Sequence, residues 1–252
     1  MSTPIKVAIL GARGRMGAAA VDAVSAASDM ELVAALGRGD QLSKITDAGA
    51  THVVDLTVPE SSEANVTFAV ERGLHAVVGT TGWDEPQRAR LEAVLGQHPE
   101  VGVLIAPNFA LGSVLATSFA AKAATYFDSV EVIELHHPNK VDAPSGTAIR
   151  TAELIAAARR GAGVPAAPDA TEKLLDGARG ALVDGVPVHA VRLRGLTAHQ
   201  EVLLGSEGEA LTLRHDSFGH SSFMPGILLG LRQAASHPGL SYGLDRYLDL
   251  GF

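Results

Sequence analysis

A two-part α/β chain is predicted, on three observations. Short β-branched runs alternate with helical patterns as far as residue 108, the mark of a parallel sheet covered on both faces. The first run ends in a glycine-rich turn that opens a helix. Between residues 186 and 214 the alternation gives way to consecutive strand-like runs, so a smaller α+β part with an open mixed sheet is expected. Bulk properties agree. A chain of 252 residues can bury a proper core, and a hydrophobic share of 46% excludes general disorder. A net charge of −8 argues against a nucleic-acid binder, whose phosphate contacts need a basic face. With no cysteine, disulfides, thiolate catalysis and sulfur-ligated metals are excluded. No apolar run approaches the ~20 residues of a membrane span. Met1 to Lys6 runs straight into a strand without a secretory pattern, so a cytoplasmic protein is expected.

Lys6 to Leu10 is the first strand, and it ends in Gly11, Ala12, Arg13, Gly14, Arg15, Met16 and Gly17 before an Ala-rich helix to about Ala27. Strand, glycine turn and helix N-terminus form the opening of a Rossmann-type dinucleotide-binding unit, whose N–H groups hold a diphosphate. The spacing is G-x-x-G-x-x-G, and many such junctions bind nothing. Its place at the head of a β–α alternation makes Gly11 through Met16 cofactor candidates. The second strand, Glu31 to Leu36, is followed by Gly37, Arg38, Gly39 and Asp40. An NAD site would place a carboxylate at the strand's end for the ribose hydroxyls. Glycine there, beside Arg38, favours a 2′-phosphate and hence NADPH, with NADH still possible through Asp40.

Further strands are expected at 51–57, 75–80 and 101–107, with helices near 61–72 and 85–95. Two loops follow at strand ends, where such sheets bind ligands. Gly79, Thr80 and Thr81 could border a nicotinamide, and within Ala106, Pro107, Asn108 and Phe109 the asparagine could bond its amide or ribose. Ordinary turn chemistry would look the same. A helix from Leu111 to about Tyr126 leads to the strand Val130 to Ile133. Gly161 to Gly185 is expected to be a long loop, followed by strands at 186–194, 200–204 and 210–214. Arg192, Arg194, His199 and Arg214 lie on or beside these strands and could add charge to an anion pocket. Ser221 to Ala235 reads as a helix returning to the first part, with the tail 242–250 beside it. The expected domains are therefore 1–108 with 217–252, and 109–216.

The densest chemistry lies in Glu134 to Ala148, E-L-H-H-P-N-K-V-D-A-P-S-G-T-A. Neighbouring strand residues face opposite ways, so His136 and His137 suit two separate jobs better than one metal, and no metal is expected. An imidazole can move a proton at cellular pH, and Lys140 is a compact cation for a carboxylate or an imine-like nitrogen. Ser145 reads as the N-cap of a helix running to about Arg160, with the N–H groups of Gly146 and Thr147 as an anion seat. A capped helix after an exposed loop is the competing reading.

These motifs together resemble the 4-hydroxy-tetrahydrodipicolinate reductase (dihydrodipicolinate reductase) family. V-A-I-L-G-A-R-G-R-M-G, V-V-G-T-T-G, I-A-P-N-F and the H-H-x-x-K-x-D-x-P-S-G-T run carry the likeness, which spans essentially the full length. The resemblance implies NAD(P)H-dependent reduction of the dehydrated 4-hydroxy heterocycle, a small dicarboxylate, to tetrahydrodipicolinate in lysine and diaminopimelate synthesis. It implies His136 as general acid/base, Lys140 as proton donor, and His137, Gly146 and Thr147 on the substrate carboxylates. Gly11 to Met16, Gly79 to Thr81 and Ala106 to Phe109 would border the cofactor. A homotetramer built through the second sheet is also implied. Family members often carry an acidic residue where this chain has Gly37, which leaves Arg38 as the candidate phosphate contact. Another NAD(P)-linked dicarboxylate dehydrogenase, or a nucleotide sensor without turnover, would share most of these features.

Overall fold

The computed structural model describes residues 3–251. In chain order the elements are β1 (Ile5–Leu10), α1 (Arg15–Ala26), β2 (Met30–Leu36), α2 (Ser43–Asp47), β3 (His52–Asp55), α3 (Pro59–Val70), β4 (His75–Val78), α4 (Glu85–Leu95) and β5 (Gly102–Ile105). Then come α5 (Leu111–Ala123), β6 (Ser129–His136), α6 (Gly146–Gly161), β7 (Ala181–Val183), β8 (Val186–Arg192), β9 (Ala198–Ser206), β10 (Glu209–Ser217), α7 (Met224–Ala234) and β11 (Gly239–Tyr242). Two compact units result, one running to Leu111 and resuming at His220, the other Gly112–Gly219. Among the described residues no helix is long and apolar enough to cross a membrane.

In the first unit six strands form one parallel sheet in the order β11-β5-β4-β3-β1-β2. β3 and β5 are buried at every position, as apolar strands covered on both faces must be. The chain leaves β1 to β2 on one side and to β3 on the other, so the switch point falls at the carboxyl end of β1. Three strands stop two residues sooner than the apolar runs suggest, at Asp55, Val78 and Ile105. Leu56, Gly79 and Ala106 each donate one last bond to the neighbouring strand, to the carbonyls of Leu10, Asp55 and Val78, and the chain then continues as loop. Pro225 in its first turn sets the start of α7, three residues later than its apolar pattern suggests. β11, absent from the sequence expectation, adds an edge strand beside β5.

The second unit is a mixed sheet in the order β10-β9-β6-β8-β7, with β6 and β8 parallel and the other pairs antiparallel. Its core joins Val130 and Val132 of β6 to Ala148, Ala152 and Ile155 of α6. Arg159 is buried there and donates to the carbonyls of Ala124, Phe127, Asp128 and Pro165, tying down the chain after α5. The expected loop 161–185 contains a strand. β7 pairs with β8 through Asp184–Gly185, and both residues have positive φ (51° and 87°), the requirement of a two-residue I′ hairpin.

At the other end of the first sheet, buried His52 faces His75 with ring centroids 4.7 Å apart. Nδ1 of His52 lies 2.9 Å from Thr51 Oγ1, and its Nε2 has no partner. A lone pair is cheaper to strand than an N–H, which favours the Nδ1–H tautomer. Burial lowers the His52 pKa to about 4, and burial also lowers that of His75. A lowered folded pKa means that stability is complete above the unfolded value near 6.5 and declines as pH falls towards 4. The expected loss from His52 is about 3 kcal/mol. Urea titrations between pH 7 and 4 check this: His52→Phe should flatten the decline, and an unchanged decline would acquit His52.

Candidate active site

The first unit carries a cradle at its switch point. Gly11 has φ 79°, and a Cβ on it would overlap the Leu56 carbonyl. A Cβ on Gly17 would overlap the Gly11 carbonyl, so the turn and α1 approach more closely than any side chain allows. Gly14 is the N-cap of α1 and provides no side-chain cap, which leaves the helix's first N–H groups to another acceptor. This geometry fits a dinucleotide diphosphate. Beside it, Asp40 gathers three donors. Its Oδ2 accepts from the Gly37 N–H at 2.9 Å and pairs with Arg13 at 3.5 Å; its Oδ1 takes Lys44 at 2.6 Å. Gly37 has a local consequence, because a Cβ there would lie 2.8 Å from both Cδ and Nε of Arg13. Arg13 therefore occupies the place of the missing side chain. Arg38 is exposed on the same turn, and Arg15 and Met16 begin α1.

The loops after β4 and β5 are anchored differently. Thr80 is buried and donates to Asp55 Oδ2 at 3.1 Å, whereas Thr81 is exposed. Asn108 Oδ1 accepts from the Ala110 N–H, a local turn bond. The Phe109 ring is buried, and a Cβ on Gly79 would lie 3.0 Å from it. Pro107 is exposed between buried Ala106 and half-buried Asn108.

In the second unit β6 ends at His136, so His137 has already left the strand and is exposed. His136 Nδ1 meets Oε2 of fully buried Glu134 at 2.5 Å. Arg192, opposite His136 on β8, grips both Glu134 oxygens at 2.7 and 2.8 Å. Glu134 Oε1 also accepts the Ser145 N–H at 3.0 Å. Burial opposes the ionised carboxyl, but Arg192 and His136 outweigh it and Glu134 sits below the usual range. Burial is also the largest influence on His136 and lowers its pKa, against the raising effect of Glu134. Ser145 caps α6 by accepting from the Ala148 N–H at 3.3 Å, and a Cβ on Gly146 would face open space. Lys140 is not alone: Asp142 takes its ammonium, and the other Asp142 oxygen takes the Gly146 N–H at 3.3 Å. One carboxyl thus already sits on the cation and on the helix N-terminus, which shows what chemistry that seat accepts.

Of the arginines considered on these strands, Arg192 reaches the cluster. Arg214 is paired with Glu201 and Asp216, and His199 with Asp216. Arg194 and Gly195 line a cavity of about 340 Å³ with Pro138 and Asn139. Sequence reasoning passed over Glu134 as a functional group. No cluster of three or more metal-type side chains occurs among the described residues.

A Rossmann-type nucleotide unit and a mixed-sheet unit with a carboxyl–imidazole–guanidinium cluster together define the class of two-unit, nicotinamide-linked oxidoreductases. The family models described as dihydrodipicolinate reductase, N-terminus and C-terminus, match residues 5–109 and 112–248. The chain belongs to the dihydrodipicolinate reductase family. It is 66% identical to the 4-hydroxy-tetrahydrodipicolinate reductase of Streptomyces avermitilis, over 98% of both chains. It is 59% identical to the Nocardia farcinica protein of that name, over 98% of this chain and 99% of the relative. A solved structure, the dipicolinate-bound dihydrodipicolinate reductase of Paenisporosarcina sp. TG-14, superposes with a TM-score of 0.86 at 39% identity, covering 98% of this chain and all of that one. The DAP dehydrogenase of C. glutamicum, at 15% identity and a TM-score of 0.58 over 99% of this chain and 97% of that one, shares the fold alone.

Proposed function

We propose that the chain reduces the dehydrated form of 4-hydroxy-tetrahydrodipicolinate to tetrahydrodipicolinate, with the first unit as nucleotide domain and the second as substrate domain. The observation that carries this reading is the His136–Glu134–Arg192 cluster beside a helix N-terminus that already holds a carboxyl. A reduced nicotinamide dinucleotide, held by its diphosphate in the cradle, would supply hydride. The protein must then hold a dianion and deliver one proton. The N–H groups of Gly146 and Thr147, with Lys140 and His137, are assigned to the substrate carboxylates; the substrate exchanges with Asp142 as acceptor. His136 is assigned the proton, with Lys140 as second donor. A dianion beside the ring favours imidazolium, so substrate arrival opposes the burial that lowers its pKa.

NADPH is the favoured nucleotide, with NADH accepted. Arg13 at the Gly37 position and Lys44 meet one acceptor, Asp40, and with exposed Arg38 on the same turn they suit a 2′-phosphate. A homotetramer is assigned through the outer face of the second sheet. There Leu203 is exposed, and Ile133 and Leu135 are only half-buried in the single chain. Sedimentation at four times the 26.0 kDa chain mass checks it.

The function is tested by following NADPH and NADH absorbance separately, with substrate formed in place from pyruvate and aspartate semialdehyde by a synthase. Synthase-dependent oxidation is expected, faster with NADPH. Arg13→Ala and Arg38→Ala should each raise the NADPH KM about tenfold, with little change for NADH. Equal losses for both nucleotides would end the phosphate assignment. Nucleotide binding without oxidation would favour a sensor, and oxidation with another dicarboxylate a different dehydrogenase.

A further inference from the structure

We propose that Glu134, clamped by Arg192, is the positioning residue that fixes His136 in its Nδ1–H tautomer and joins that ring to the anion seat. The carboxyl is fully buried and takes four donors. Oε2 accepts from His136 Nδ1 and Arg192 Nη1, and Oε1 accepts from Arg192 Nη2 and the Ser145 N–H. A carboxyl so occupied can only accept, so the ring nitrogen that meets it carries hydrogen. The mobile proton is thereby confined to Nε2. The parallel register that sets Arg192 against His136 brings its guanidinium back to Glu134, two residues earlier on β6.

Glu134 also reaches beyond the ring. Ser145, whose N–H it holds, is the N-cap of α6, and Gly146 and Thr147 follow directly. Arg192 donates at the same time to the Asp142 carbonyl, in the loop that presents Lys140. One buried carboxyl therefore sets the imidazole, the helix entry and the lysine loop to a common geometry, and no rotamer of a solvated side chain could do so as firmly. The charged groups facing the imidazole are Glu134 on its own strand, Arg192 on β8 and Lys140 on the loop; β9 presents Ala198 opposite and adds no charge.

The consequence for catalysis rests on His136 as proton donor, whereas the tautomer can be read without turnover. In the full-length protein labelled with [15N]histidine, long-range 1H–15N correlation should report His136 as Nδ1–H, its signals assigned by their loss in His136→Gln. An Nε2–H ring in the unaltered protein overturns the proposal, and this arm needs no Glu134 variant to fold. Glu134→Gln should lower kcat ten- to a hundredfold with the nucleotide KM unchanged. It should also move the fall of kcat/KM at high pH towards lower pH, because the carboxyl that favours imidazolium is gone while Arg192 and Lys140 remain. Loss of rate with an unmoved pH profile would mean that Glu134 is structural, against the proposal. If instead His136→Gln kept the parental kcat, the donor assignment would fall, and the tautomer alone would decide the role of Glu134.

Discussion

His136→Gln is expected to lower kcat by about three orders of magnitude, within the 10²–10⁴ that a positioned acid or base contributes. Glutamine can still offer a hydrogen bond towards Glu134, so the loss should be chemical rather than structural. Nucleotide affinity should stay within about twofold, because the cradle at Gly11, Gly14 and Gly17 lies in the other unit. Lys140→Ala should act on both terms. It removes a cation from the carboxylate seat and a partner from Asp142, so substrate KM rises along with the fall in kcat. Steady-state kinetics with each substrate varied checks both variants. A parental turnover number in His136→Gln would remove that ring from the chemistry.

Local signals explain how much of this was legible. α4 was expected at 85–95 and is found there, because Asp84 and Gln87 form a capping box and Pro86 fits the first turn. Ser145 as the cap of α6 was equally readable. The cradle was marked by its glycines, although the overlaps that make glycine necessary at 11 and 17 involve the turn's own carbonyl and that of Leu56, after another strand. β7 was missed although Asp184–Gly185 is a strong hairpin dipeptide; three residues were too few to show alternation. Glu134 left a signal as well. In V-E-V-I-E-L it shares the face of Val130 and Val132, an acid where the alternation calls for an apolar residue. Its partner Arg192 lies 58 positions away on a parallel strand, and local periodicity carries no information on such a pairing. Arg13 was read as a diphosphate-loop residue. That it fills the place beside Gly37 follows from β1 and β2 being neighbours.

Asp55→Ala is expected to cost roughly 3–4 kcal/mol and to loosen the nucleotide loop, the largest stability effect anticipated at any polar position. Asp55 ends β3 with its carboxyl completely buried and, among the described residues, in no ion pair. Four side chains donate to it instead. Thr57 Oγ1 (2.6 Å) and Asn65 Nδ2 (3.2 Å) reach Oδ1, while Ser62 Oγ and Thr80 Oγ1 (3.1 Å) reach Oδ2. Trp83 Nε1 extends the network through Ser62. One carboxyl thereby ties the turn after β3, the first half of α3 and the Gly79–Thr80 loop together. Alanine strands these donors at about 1 kcal/mol apiece, beyond what water entering a small cavity restores. Asp55→Asn should cost less, since the threonine and serine hydroxyls can turn to accept from the new amide. Urea unfolding gives the two stabilities, and amide exchange at residues 79–82 reports the loop. The loop's loosening should raise the nucleotide KM in both variants while His136 and its proton chemistry, in the other unit, are untouched. If alanine costs under about 1 kcal/mol, the hydroxyls have found other acceptors and the carboxyl does not hold the loop.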